Sequence, residues 1–128
     1  MITETTTAPE LHQDDAVQCQ FQLAGLSEWV DAGNAHRDPE AHTWSRVLKV
    51  SEEVGEVYSA LSGTVGENPR KGVTHTMDDV IGELLDVAVA ALAAVEHLTG
   101  NMGRSLPALC LKVDAVHTRA TSPAKASA

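Results

Sequence analysis

The sequence predicts an all-α fold, built as one four-helix bundle subunit. Only 3% of the 128 residues are aromatic, and alanine, valine and leucine supply most of the 43% hydrophobic content. That composition favours helices over strands. Apolar residues recur at helical spacing along four segments, and the alternation typical of a strand is nowhere convincing. A chain of this length corresponds to one domain.

The first two helices have recognisable ends. The first is predicted over about residues 15–32, where a broad apolar face runs up to the stop signal Gly33-Asn34. The second begins between Asp38-Pro39 and Thr43, because proline suits the first helical position after an aspartate cap. It ends at Ser62-Gly63.

The last two helices also carry terminal signals. The third starts near Thr76, since Thr76 and Asp79 have the spacing of a capping box with aspartate in the glutamate position. It ends at Thr99-Gly100. The fourth starts after Ser105 and runs to about Arg119.

The helical domain is predicted to span residues 15–119, with disordered tails at 1–14 and 120–128 that have little apolar surface to bury. The connection over residues 63–75 is the irregular stretch inside the domain. It is either a surface loop or a lid that carries cations over an anionic ligand. Cys19 and Cys110 match no metal or redox spacing and are predicted to be buried thiols, with a single disulfide between them as the alternative.

The charge balance excludes two classes of partner. Nine basic and 18 acidic residues give a formal charge of −9. A protein that binds nucleic-acid backbones needs a basic face, and a polybasic membrane binder needs a basic cluster. The start of the chain lacks the basic and apolar regions of a targeting segment, and no apolar run is long enough for a bilayer span. We therefore expect a cytoplasmic protein.

Acidic side chains are concentrated on the second and third predicted helices. Glu52, Glu53 and Glu56 share one helical face with Lys49, where like charges repel. Taken alone, that face would be interpreted as a solvated surface. On the third helix Asp86 lies in a stretch that is apolar on nearly every side, which predicts a buried carboxylate. Such a group must be protonated, paired or metal-bound.

The candidate ligands select the metal. No basic residue lies between Gly72 and Gly103, so a protein cation for Asp86 is scarce, and a divalent cation shared with the second helix is the simplest partner. All candidate ligands are carboxylates, which suit Mg²⁺ or Mn²⁺. Zinc would need histidine or cysteine at short spacing, and a di-iron bundle would need Glu-x-x-His pairs. Magnesium held by few protein ligands usually completes its shell with substrate phosphates.

The sequence resembles one known superfamily. Glu52-Glu53-x-x-Glu56, followed 27 residues after its last glutamate by Glu83-x-x-Asp86, is similar to the paired motif of the MazG-like all-α nucleoside triphosphate pyrophosphohydrolases. The resemblance covers about residues 43–119 and is nearest to the dCTP pyrophosphatase and MazG branch. It implies hydrolysis of a (d)NTP to a (d)NMP and pyrophosphate.

The resemblance also implies roles for individual residues. The implied Mg²⁺ ligands are Glu53, Glu56, Glu83 and Asp86, with Mn²⁺ as a possible substitute. Glu52 and Glu53 are the implied catalytic carboxylates, Glu52 as a further ligand or to orient the attacking water. Lys112 matches a lysine that contacts phosphate. The family position four residues later is Val116 here, and Arg119 is its candidate replacement.

Further substrate contacts are predicted from residue type. Cationic contacts to the phosphates are expected from Lys49, Arg70 and Lys71. Trp44 is a candidate to stack on the base and His42 to hydrogen-bond its edge. The alternatives are a core role for the tryptophan and a surface or capping role for the histidine.

Two other functions stay open. One is a non-catalytic helical oligomer, an interaction or regulatory module with the same fold. The other is hydrolysis of phosphoribosyl-ATP. Either way the third helix needs apolar partners on several sides, and its alanines permit close approach. We expect a homodimer at least, and the resemblance adds the possibility of a dimer-of-dimers tetramer.

Overall fold

The computed structural model describes residues 10–124, and within them the chain forms four α-helices and no strand. The helices are α1 (Gln13–Gly33), α2 (Pro39–Val65), α3 (Met77–Thr99) and α4 (Ser105–Thr121). The all-α prediction is confirmed. The parts of the predicted tails at residues 1–9 and 125–128 lie outside the described residues, whereas residues 13–14 and 120–121 belong to α1 and α4.

The helix starts follow the predicted capping chemistry. The Asp38 carboxylate accepts a hydrogen bond from the Ala41 amide at 2.9 Å, and Pro39 occupies the first turn of α2. At α3 the Thr76 hydroxyl accepts from the Asp79 amide, while the Asp79 carboxylate accepts from the Thr76 amide at 2.7 Å. Each pair satisfies amides that have no partner inside the helix.

Helix α3 is the element against which the others pack. Helices α1 and α2 both lie along it, and α4 contacts only α1 and α3. The buried apolar side chains are mostly small, which lets the helix backbones approach closely: Leu23, Ala24, Ala60, Val80, Ala93 and Ala94. This open arrangement leaves one long side of α2 and α3 without a neighbour among residues 10–124.

A buried carboxylate joins the end of α3 to the start of α4. Glu96 is fully buried, and its two oxygens accept hydrogen bonds from the amides of Gly103 and Ser105 at 2.9 and 2.7 Å. Burial raises the pKa of Glu96, but the amide hydrogen bonds outweigh it, so the pKa lies below its usual range. The start of α4 is therefore held firmly, while residues 107–121 are exposed.

Two expectations about burial are wrong for the single chain. Cys19 and Cys110 are both exposed, because they lie on faces of α1 and α4 that no other helix covers. Asp86 is also exposed rather than buried. The apolar side chains around it predicted a helix covered on all sides, but Leu84 and Leu85 are 53% and 61% exposed.

Among the described residues, no helix combines the length and apolarity that crossing a membrane requires.

Candidate metal centre

Three carboxylates from two helices converge at the middle of the α2–α3 contact. Glu53 of α2 and Glu83 and Asp86 of α3 each offer an oxygen, and these oxygens all lie within 4.8 Å of one another. Glu83 and Asp86 are three residues apart, which places them on one face of α3. Glu53 lies opposite because its side of α2 packs against that face, and it is half-buried there. This group is the candidate metal centre.

The donor set suits a hard divalent cation. Magnesium binds oxygen ligands at about 2.1 Å, so opposite ligands in its octahedron are about 4.2 Å apart. The three carboxylate oxygens all lie within 4.8 Å of one another, so small side-chain rotations can bring them onto one ion. The three ligands are all carboxylates, without the imidazole or thiolate that favours zinc. The residues present therefore fit magnesium.

The other two acids of the α2 motif lie outside this group. Glu56 is exposed and does not share the three-carboxylate cluster. The side chain of Glu52 is 64% exposed and is bound to Lys49 instead. Of the four implied metal ligands, the structure brings together Glu53, Glu83 and Asp86.

Lys49 connects the acids of α2. Its ammonium nitrogen is 2.9 Å from an oxygen of Glu52 and 2.9 Å from an oxygen of Glu53, one turn further along the helix. Hydrogen bonds to Glu53 and Glu52 raise the pKa of Lys49, so it remains charged. A cation thus already faces one of the three candidate ligands.

An apolar cleft adjoins the carboxylates. It has a volume of about 310 Å³ and includes Lys49, Glu53 and Asp86 in its wall. The rest of the wall is mostly aliphatic and comes from α1, α2 and α3: Leu26, Val30, Ser45, Arg46, Val89, Ala90 and Ala93. The charged centre therefore lies at the edge of a surface that excludes water, where an apolar group of a ligand can be buried.

A second polar cluster, centred on Asp31, lies where α1, α2 and α3 meet. The Asp31 carboxylate accepts hydrogen bonds from Arg46 at 2.9 Å, His42 at 2.7 Å, His97 at 2.9 Å and Asn101 at 2.9 Å. Burial raises the pKa of Asp31, but the hydrogen bonds from Asn101, His97 and His42 lower it by more. The pKa of Asp31 therefore lies well below its usual range.

Arg46 makes the Asp31 cluster a structural ion pair rather than a second metal site. Its guanidinium is buried and also donates to the Ser27 carbonyl, the Ser27 hydroxyl and the Ala93 carbonyl. Asp31, His42 and His97 have ligand atoms within 4.8 Å of one another, but the arginine already neutralises the carboxylate. A metal ion there would meet a fixed positive charge.

The sequence analysis did not predict this cluster, although the positions of two of its residues indicated it. Arg46 is a basic residue seven positions before Glu53, and that spacing places it on the inner face of α2. His97 shares the α3 stripe of Asp86. A charged residue on an inner face requires a partner, but nothing in the spacing identifies Asp31 of another helix as that partner.

The remaining substrate-binding candidates are dispersed over the structure. His42 is buried and bound to Asp31 through Nε2, while its Nδ1 has no partner among the described residues. Trp44 is 63% exposed and forms a shallow apolar depression on α2. Arg70 and Lys71 are exposed in the loop between α2 and α3. Two further candidates, Lys112 and Arg119, are exposed on α4, which does not contact α2.

Comparisons with known proteins give no match for this chain. No protein-family model matches the sequence, no curated protein matches it, and no solved structure matches it.

Proposed function

We propose that the chain is a Mg²⁺-dependent nucleoside triphosphate pyrophosphohydrolase. The observation that carries the proposal is the convergence of the Glu53, Glu83 and Asp86 carboxylates from two helices at the edge of an apolar cleft. Oxygen-only sites with few protein ligands favour magnesium together with substrate phosphates. The resemblance of the paired carboxylate motif to the MazG-like enzymes supports the same reaction.

The carboxylates and Lys49 would have different roles in the reaction. Glu53, Glu83 and Asp86 would hold the cation, which when bound neutralises the phosphates and activates water for attack at the α-phosphorus. Glu52, which is exposed and bound to Lys49, would orient that water or accept its proton. Lys49 would exchange its contact with Glu53 for a phosphate oxygen when a nucleotide binds.

The cleft beside the acids suits the nucleoside part of the substrate. Its volume of about 310 Å³ is at the lower end of the roughly 300–1,000 Å³ typical of small-molecule pockets. That volume accommodates a base with its sugar and leaves the phosphates at the carboxylates. Its aliphatic wall would bury the faces of the base, and the Ser45 hydroxyl, which donates to the Ala41 carbonyl, would offer its oxygen as an acceptor.

In the proposed reaction a nucleoside triphosphate and water give a nucleoside monophosphate and pyrophosphate. The water oxygen bonds to the α-phosphorus, and the bond from that phosphorus to the bridging oxygen of the leaving pyrophosphate breaks. The direct test is to incubate the full chain with Mg²⁺ and each of the NTPs, dNTPs and phosphoribosyl-ATP. We expect pyrophosphate and a monophosphate from at least one nucleoside triphosphate. Turnover of phosphoribosyl-ATP alone would support the narrower alternative, and no release from any substrate would contradict the proposal.

A non-catalytic role is the second candidate, because one observation favours it. The Lys49 ammonium already pairs with both Glu52 and Glu53, which reduces the charge of these two acids from −2 to −1 without a metal. Calorimetric titration with Mg²⁺ separates the two candidates. Saturable binding that is lost when Asp86 is replaced supports the enzyme, whereas no binding supports the non-catalytic oligomer.

We also propose that two copies of the chain associate through α2 and α3. The isolated chain exposes 10066 Å², compared with about 6,500 Å² for a compact monomer of its mass. Exposed apolar side chains line both helices: Trp44, Leu48, Val54, Tyr58, Leu61, Ile81, Leu84 and Leu85. A face of this kind is typical of obligate dimers. Sedimentation velocity at micromolar concentration should give a dimer or tetramer, and a folded monomer would contradict this.

A further inference from the structure

A second cleft lies at the C-terminal end of α2, between that helix and the loop leading to α3. Its volume is about 220 Å³, below the range typical of pockets for whole cofactors or drug-sized ligands. Its wall is polar and small: Ser59, Ser62, Gly63, Asn68, Lys71, Gly72, Thr74 and His75. In a chain with a formal charge of −9, this wall contains one ammonium group and no carboxylate.

Several donors in this cleft are free to bind a ligand. Lys71 forms no ion pair within residues 10–124, unlike Lys49. Asn68 uses its side-chain oxygen to accept from the Arg70 amide, which leaves its NH₂ group for another acceptor. The Ser62 hydroxyl has no hydrogen-bond partner among the described side chains and backbone groups. A group with several acceptor oxygens would satisfy all three.

The wall of the cleft is fixed by backbone contacts. The Gly63 carbonyl accepts a hydrogen bond from the Thr74 amide at 2.9 Å, which holds the loop against α2. The His75 imidazole packs against Gly63, and its Nδ1 is 2.8 Å from the Thr74 hydroxyl. A Cβ at Gly63 would overlap the His75 ring and lie 2.7 Å from the Thr74 hydroxyl. The cleft therefore depends on glycine at this position.

We propose that this cleft binds a phosphate-type oxyanion through Lys71, Asn68 and Ser62. An ammonium and neutral donors around a small space, with no competing carboxylate, match the charge and acceptor count of phosphate. Two sources share this chemistry, free phosphate and the terminal phosphate of a nucleotide. Ser62 is nine residues beyond Glu53, which is about 13.5 Å along α2 and, at about 100° per residue, on the opposite side of the helix. A nucleotide held at the carboxylates therefore does not reach the cleft of the same chain, and a nucleotide in the cleft would be a second molecule.

The test is a titration of the full chain with inorganic phosphate and with pyrophosphate, without metal or nucleotide. Binding is followed by calorimetry and by the amide NMR signals of Lys71 and His75. The informative pair is Lys71→Gln against Arg37→Gln, which remove the same charge, because Arg37 is exposed and does not line the cleft. We expect Lys71→Gln to weaken binding about tenfold and Arg37→Gln less than about twofold.

Gly63→Ala is a second probe, because it should displace His75 and abolish binding while circular dichroism shows that the helices remain. No binding at about 10 mM phosphate, or equal weakening by Lys71→Gln and Arg37→Gln, would overturn the proposal. Asp86→Asn tests the phosphate cleft separately from the proposed function. This variant should lose nucleotide hydrolysis but should still bind phosphate in the cleft. If Lys71→Gln, added to Asp86→Asn, weakens the binding of a nucleoside triphosphate, the source is a nucleotide; unchanged binding of the nucleotide assigns the cleft to free phosphate.

Discussion

Replacing Asp86 by asparagine is expected to lower pyrophosphate release by about a hundredfold or more at saturating Mg²⁺. The amide keeps the size of the side chain but removes one of three negative charges that face a single point. Affinity for Mg²⁺ should fall in parallel, as measured by calorimetry. Because Asp86 is exposed and makes no hydrogen bond within the described chain, the helical content and the midpoint of thermal unfolding should stay near those of the original protein.

Asp78→Asn is the matched control for Asp86→Asn. Asp78 is an exposed aspartate two turns earlier on the same helix, and it is not part of the carboxylate group. We expect its turnover and Mg²⁺ affinity to lie within about twofold of the original values. Equal losses in the two variants would show that net charge, rather than the position of Asp86, determines the effect. Full activity in Asp86→Asn would remove that residue from the metal centre.

Asp31→Asn is expected to lower the free energy of unfolding by about 3 kcal/mol. The substitution leaves the buried Arg46 guanidinium without its counter-charge, and both His42 and His97 lose a charged acceptor. Chemical denaturation followed by circular dichroism measures the loss. Glu28→Gln, on an exposed turn of the same helix, should change the free energy by less than about 0.5 kcal/mol.

The dependence of the unfolding free energy on acidic pH is an independent test of the role of Asp31. The pKa of Asp31 is depressed in the folded chain, so its stabilisation is fully present above its unfolded value of 3.8. That stabilisation is lost as the pH falls through 3.8 towards the folded value. Below about pH 4.5, the unfolding free energy should therefore fall more steeply in the original chain than in Asp31→Asn. Parallel curves would contradict the role given to Asp31.

Local chemistry made the helices predictable. Asp38 with Pro39 and Thr76 with Asp79 are short-range signals, and each depends on residues within one turn of the helix start. The exposure of Asp86, Cys19 and Cys110 was not predictable in the same way. Burial depends on which faces meet other helices, and a helix apolar on all sides can be covered by a second chain as well as by its own.

The candidate metal centre was predictable in part. The spacing of Glu83 and Asp86 on one helix fixes their common face, and Glu53 was expected to lie opposite. Spacing alone could not separate Glu53 from Glu56, because the rotation of α2 about its axis decides which of them faces α3. The Asp31 cluster joins three helices, so its partners are distant in sequence and leave no local pattern.

The three polar sites described above share one uninterrupted element. Arg46, Glu53 and Gly63 all belong to α2, a helix of 27 residues that is about 40 Å long. One residue inserted between Arg46 and Glu53 would turn everything downstream by about 100° relative to the anchored arginine. The Glu53 carboxylate would then point away from Glu83 and Asp86 of α3. The cleft at the C-terminal end of α2 would also lose the part of its wall that α2 provides. All three sites therefore depend on an unchanged number of residues in α2, and deletions or insertions in this helix should be far more damaging than most point substitutions.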